Sequence, residues 1–156
     1  MISATYMQFR GPGFEIEIPT DWLITSAPEY QVMFLGPKYN GELRPNLVIT
    51  IRPVDENVFP EQIAKETQKI QEKEYPEYQV LEEVDYGKEG GTAFLHRYSW
   101  HNSQYDKDIL QIQCFFVVAR ILFTITATRP RDYEQTLDEI FEYMIGSFRL
   151  SLYPKQ

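Results

Sequence analysis

Apolar and polar residues alternate in several short stretches of the chain and recur every three or four residues in two longer ones. These two periods assign the elements. From Gly13 to Pro19 the alternation is strict, with Phe14, Ile16 and Ile18 turned inward and Glu15 and Glu17 outward, so a first strand is expected there. Thr20, Asp21 and Trp22 read as a turn whose indole packs back on the sheet. A short strand over Val32–Leu35 ends at Gly36-Pro37, and Lys38 to Pro45 forms a loop carrying Asn40-Gly41. Alternation returns from Asn46 to Arg52. Pro60 suits the first turn of a helix running to about Glu74, with Ile63, Thr67, Ile70 and Glu74 on one thin stripe that implies modest burial. Tyr78 to Tyr86 is expected as a strand with Val80, Val84 and Tyr86 on one face, and Gly87 and Gly90-Gly91 mark the turn into a strand from Thr92 to His101. Pro130 opens the last helix, in which Tyr133, Leu137, Ile140, Phe141, Met144, Ile145 and Phe148 give the strongest amphipathic pattern, with Gly146 near its end.

The longest uncharged, β-favouring run is broken only by Arg120, and it spans Ile109 to Thr128. Read as a hairpin with Ala119 and Arg120 at its tip, it pairs Phe116 with Phe123, Cys114 with Ile125 and Ile112 with Ala127 on a dry face. The other face pairs Val117 with Leu122, Phe115 with Thr124, Gln113 with Thr126 and Gln111 with Thr128. A slip of one residue would set Cys114 and Phe116 against threonines, so the pattern itself selects the register. Ala-Arg is a poor type I′ turn because neither residue readily takes a positive φ, and a four-residue loop over 118–121 would keep the same parity. The last helix is expected to cover the dry face.

In the preceding strand Phe94, His96, Tyr98 and Trp100 share one side and are taken as core. Arg97 and Ser99 are then expected to join Gln111, Gln113, Thr124 and Thr126 on an open face, with Phe115 and Leu122 as apolar contacts. Two readings of this face stand. Polar β-branched rows suit a half-exposed sheet that meets water or a covering helix, whereas a mixed groove suits an apolar or amphipathic segment of another protein.

Composition narrows the function classes. With 156 residues, 43% hydrophobic and 24% charged, one globular domain over 1–156 is expected, its core about 13–150. The 15% aromatic content supplies rings for core or contact surface. A net charge of -8 without a basic cluster argues against nucleic-acid binding. The acids concentrate in Glu72, Glu74, Glu77, Glu82, Glu83, Asp85 and Glu89, which read as a solvated helix end and strand edge without cation-loop spacing. The single Cys114 falls on the dry face and reads as a buried thiol. The N-terminal residues show no secretory pattern and no transmembrane span, so a cytoplasmic location is expected. Five residues separate His96 from His101, so they point to opposite faces of a strand and cannot share a metal. No nucleophile elbow, phosphate loop or dinucleotide fingerprint is present, and no catalytic residue, metal or cofactor is expected. A small-molecule pocket or enzyme site near His96, Tyr98 and Trp100, and a purely structural dimer subunit, are the competing functions.

Phe14 to Trp22 (FEIEIPTDW), Phe34 to Pro37 (FLGP), Asn46 to Ile51 (NLVITI), the Gly90-Gly91 turn into Tyr98 to Trp100 (YSW), the threonines 124, 126 and 128, and a helix closing on Ser147-Phe148 occur in this order. Together they resemble the DcrB-related, PsbP-like family over about Phe14 to Leu150. The resemblance implies an α+β fold, a PsbP-like sandwich with an antiparallel sheet flanked by helices, and no catalytic residues. It also implies a binding role. Within that family, the cytoplasmic Eag-type chaperones of type VI secretion hold apolar segments of effectors, usually as homodimers, and the expected open face is compatible with that role.

Overall fold

The structure is a computed structural model that describes residues 5–28, 30–38, 43–85, 93–132 and 136–151. In chain order the elements are β1 (Tyr6–Gly11), β2 (Phe14–Pro19), β3 (Leu23–Ala27), β4 (Tyr30–Leu35), β5 (Asn46–Pro53), α1 (Pro60–Glu74), β6 (Gln79–Asp85), β7 (Ala93–Asn102), β8 (Lys107–Val118), β9 (Ile121–Pro130), α2 (Thr136–Ser147) and β10 (Arg149–Leu150). They build a seven-stranded antiparallel sheet of order β3-β4-β5-β9-β8-β7-β6 and a three-stranded sheet of order β1-β2-β10. The small sheet and α2 cover one face of the large sheet, and α1 covers part of the other. The expected α+β sandwich is the fold observed.

Alternation explains why the main core forms where it does. Phe14, Ile16 and Ile18 of β2 point at Phe34, Leu47, Ile49, Phe123, Ile125, Ile112 and Cys114 of the large sheet, and Leu137, Phe141 and Met144 of α2 close the same cluster. Each fully buried aliphatic or aromatic side chain there contributes roughly 1.5–3 kcal/mol of burial free energy. Trp22 does pack back, meeting Phe141 edge-on at 6.1 Å between ring centroids. Phe14, which is wholly buried, stacks on Phe148 at 5.6 Å.

The β8–β9 hairpin has the register read from the pattern, from Gln111↔Thr128 to Val118↔Ile121. Its two-residue tip takes the conformation that looked unfavourable: Ala119 has φ 52 and Arg120 φ 62. The turn is retained because the Val54 amide donates to the Arg120 carbonyl at 2.9 Å and because Val118 and Ile121 pack on the core. At β1–β2 the Pro12-Gly13 turn joins paired Gly11 and Phe14, and Gly13 has φ 82, a value that type II turns reserve for glycine.

Several expectations need correction. Gly13–Pro19 is not the first strand. β1 precedes it and pairs along its whole length, although its residues lack strict alternation and none is buried, Tyr6 and Phe9 being partly buried against the core. β3 also escaped the pattern, since Leu23, Ile24, Thr25 and Ser26 are all exposed. Helix α1 has the expected bounds, but its inner side is Pro60, Ile63, Ala64 and Gln71, whereas Ile70 and Glu74 face solvent. Pro130 does not open the last helix: it ends β9 opposite Ile109, and α2 begins at Thr136. Phe148 lies just beyond α2. Tyr133, Tyr86, Glu89, the 87–91 glycine turn and Asn40-Gly41 lie outside the described residues.

Candidate functional site

The register of β7 on β8 decides which residues share a face. His96 pairs with Gln113 and Tyr98 with Gln111, while Arg97 pairs with Ile112 and Ser99 with Leu110. Gln111 and Gln113 therefore lie beside the aromatic side of β7. Arg97 and Ser99 belong to the α2 side, so they do not join Gln111, Gln113, Thr124 and Thr126.

Helix α1 lies over that glutamine surface. Phe115 and Leu122 are 2% exposed and pack with Phe94 against Ile63 and Ala64. Gln113 Oε1 accepts from His96 Nε2 at 2.8 Å and Gln71 Nε2 at 3.2 Å, and Gln113 Nε2 donates to Thr126 Oγ1 at 3.1 Å. On the other side of the ring Gln68 Nε2 meets His96 Nδ1 at 3.2 Å and donates to Glu83 at 2.7 Å. Lys65 completes the chain on Glu83 at 2.9 Å. These contacts assign a neutral His96 that donates from Nε2. Burial pushes its pKa down, against the raising effect of the Gln113 bond. The hydrogen bonds from Lys65 and Gln68 hold the Glu83 carboxyl below its ordinary value.

The next row is similar. Trp100 Nε1 donates to Gln111 Oε1 at 2.8 Å, and Gln111 Nε2 donates to Thr128 at 2.9 Å. Tyr78 donates to Gln71 at 2.8 Å, and Gln71 in turn donates to the Tyr98 hydroxyl at 3.2 Å. Tyr75 stacks on Trp100 at 3.9 Å, and Tyr78 packs on Tyr98 at 5.5 Å. Rings and amides thus fill the region around His96, Tyr98 and Trp100 where a small-molecule pocket had been the competing expectation. Of the expected contact residues only Thr124 and Thr126 lie toward the sheet half beyond α1, half-buried beside Thr50 and Val48 of β5.

The opposite face carries a different feature. The sheet floor from Val84 through Ala93, Leu95, Ile112, Cys114 and Phe116 runs under the C-terminal half of α2, and Ile145, Gly146 and Phe148 form the facing wall of a half-open groove of about 550 Å³. This is the size range of ligand-accepting clefts. The floor is apolar because it is the inward side of three strands. Gly146 is an exposed residue of the groove wall, and a Cβ there would meet no atom within 4 Å. Beyond the groove the sheet ends at β6, where Val80 and Leu81 are exposed.

Arg97 lies on the groove floor. Its guanidinium meets Glu82 at 3.2 Å, Glu142 at 3.5 Å and Asp138 at 4.0 Å. Ser99, its neighbour on that face, is buried and accepts from Arg131 Nη1 at 3.1 Å. Asp138 itself is held by buried Arg129 through bonds of 2.6 and 3.0 Å. Cys114 is buried beneath the floor, where desolvation pushes its thiol up to about 12, far from the thiolate form needed for nucleophilic chemistry. His101 lies at the β7–β8 turn, with its ring on Asp108 at 2.8 Å and Asp106 at 3.2 Å, and these carboxylates raise its pKa. Among the described residues no group of three His, Cys, Asp or Glu side chains is placed to hold a metal, and no buried side-chain polar atom lacks a hydrogen-bond partner. No helix among the described residues is long and apolar enough to cross a membrane.

Sequence reasoning missed the groove because Ile112, Cys114 and Phe116 were expected under the last helix, whereas Arg97 of the same floor was expected on the opposite, open face. Periodicity carries no signal for it, since Gly146 lies about half a turn away from the buried Leu137, Phe141 and Met144.

Comparison with known proteins adds the family context. The DcrB family profile matches residues 15–147. Among solved structures the chain is similar to cyanobacterial PsbP (CyanoP) from Synechocystis sp. PCC 6803, at 13% identity over 95% of this chain and 94% of that one, with a TM-score of 0.68. It is similar to the Ran-binding protein Mog1p of Saccharomyces cerevisiae at 11% identity, covering 97% of this chain and 100% of that one, TM-score 0.69. LpqN of Mycobacterium tuberculosis, involved in cell envelope biogenesis, aligns at 15% identity over 96% and 91% of the two chains, TM-score 0.68. At these identities the likeness is one of fold. No curated protein matches the chain in sequence.

Proposed function

The chain belongs to the DcrB family, and from that premise we propose that it is a non-catalytic binding domain, an adaptor or chaperone that holds an apolar or amphipathic segment of another protein. The observation that carries this reading is the apolar groove between α2 and the β6–β8 floor. Among the described residues, both histidines and the cysteine are engaged: His96 is held between Gln68 and Gln113, His101 by two carboxylates, and Cys114 is a buried thiol. The Ran-binding neighbour supports a protein partner for this fold. The most specific form of the reading, suggested by the family resemblance, is a chaperone that holds apolar segments of a type VI secretion effector, with a homodimer as its working form.

The test is a titration of a fluorescein-labelled, leucine- and alanine-rich helical peptide into the protein, followed by anisotropy. Saturable binding is expected, lost in Gly146→Leu, which adds bulk at the groove wall, and retained in Thr126→Arg. The converse pattern would move the contact surface to the Thr124/Thr126 strip beside β5. Absence of saturable binding to the wild-type protein would overturn the reading.

A further inference from the structure

The charges around the groove specify its partner further, on the reading that it binds a protein segment. Glu82 and Glu142 flank the mouth with 49% and 62% of their side-chain surface exposed, whereas Arg97 lies on the floor with 19% exposed. The cation is already shared among three carboxylates, Glu82, Glu142 and Asp138, the last of which also carries Arg129. Among the described residues an approaching segment therefore meets two exposed carboxylates, and the Arg97 cation beneath them is paired from both walls. Carboxylates in that position favour a cation brought by the partner and disfavour an anion, because the partner's charge approaches a locally negative rim on a chain whose net charge is already -8. The floor itself offers Val84, Leu95, Ile112, Phe116 and Phe148 and no unpartnered polar group. Its chemistry thus asks for apolar side chains below and a lysine or arginine above.

We infer that the groove between α2 and the β6–β8 floor takes a protein segment whose apolar residues are accompanied by a basic residue, the apolar side chains lying on Leu95, Ile112 and Phe116 and the cation on the exposed outer sides of Glu82 and Glu142, above Arg97. On this side β6 is the outermost strand of the large sheet among the described residues, so an extended segment in the groove would run alongside it.

Two synthetic peptides of equal length and leucine/alanine content, one carrying two lysines and the other two glutamates at the same positions, test this by anisotropy with the full chain. The lysine peptide is expected to bind roughly three- to tenfold more tightly at low salt, the scale of one or two partly exposed ion pairs. That preference should shrink as added salt screens it, and it should disappear in Glu82→Gln/Glu142→Gln. Circular dichroism of that variant establishes that its fold is retained, and Gly146→Leu should abolish binding of both peptides. Equal binding of the two peptides by the wild-type protein, with both lost in Gly146→Leu, would overturn the charge selection while leaving the groove as the binding site. A glutamate preference would overturn it as well, by making Arg97 the dominant charge. Failure of both peptides to bind would overturn the underlying reading together with this one.

Discussion

Gln113→Leu removes the amide at the centre of the polar network under α1, and its cost can be worked from the geometry. The amide oxygen takes hydrogen bonds from His96 and Gln71, and the amide nitrogen gives one to Thr126. Leucine replaces neither function. His96 has 0% of its surface exposed, so its Nε2–H would be left in the interior with no acceptor. Such an orphaned donor costs roughly 1–3 kcal/mol. Gln71, 4% exposed, keeps its bond to Tyr98 but loses the other, adding about 1 kcal/mol. Half-buried Thr126 can turn its hydroxyl to water at little cost. The sum is about 2–4 kcal/mol, equivalent to a fall in Tm of roughly 5–12 °C for a domain of this size. Urea denaturation followed by tryptophan fluorescence measures it, with Thr126→Val as the control that should lose less than about 1 kcal/mol. From the strand pattern alone Gln113 looks like a surface residue whose replacement would be harmless. A measured loss below about 0.5 kcal/mol would restore that view and refute the network as a buried, fully engaged unit.

Other consequences follow from single sites. In an NMR titration His96 should protonate below 6.5 and His101 above it. His96, neutral when folded, therefore contributes stability that is present above pH 6.5 and is lost as the pH falls toward its folded pKa; His101 contributes stability present below 6.5 and lost as the pH rises through its folded pKa. Overlapping titration of the two rings would contradict both assignments. Cys114 should stay unlabelled by a thiol reagent at pH 8 in the native protein and react promptly in denaturant; rapid native labelling would mean that the groove floor opens. Replacing Ala119-Arg120 by Asn-Gly should raise the denaturation midpoint by the equivalent of about 1 kcal/mol or more, since both positions have left-handed backbone and these residues tolerate it; a drop would contradict the turn geometry. Gly146→Ala, in open space on a helix, should gain about 0.5 kcal/mol in the same assay, and destabilisation would show that the space is occupied.

By itself the sequence determined what depends on local periodicity. The β8–β9 register was legible because only one parity buries Cys114, Phe116, Phe123 and Ile125 together. The bounds of α1 were legible from its proline start and the Tyr75-Pro76 stop, and the buried Cys114 and the inward Phe94, His96 and Tyr98 followed from alternation. Alternation sorts residues within one strand, but it carries no information about which side of a neighbouring strand aligns with which. The β7–β8 turn made that choice, placing Gln111 and Gln113 with His96 and Tyr98 and sending Arg97 and Ser99 to the other face. It matters little on a one-sided sheet and a great deal here, because α1 and α2 cover opposite faces and both sides of β7 and β8 count as interior. Strand β3, exposed, and strand β1, only partly buried, lack a period-two pattern of their own and pair on the edges that β4 and β2 offer. The groove is the clearest case. Its floor is apolar for the same reason as any core face, and only the packing of α2 on the sheet decides that this stretch forms a groove.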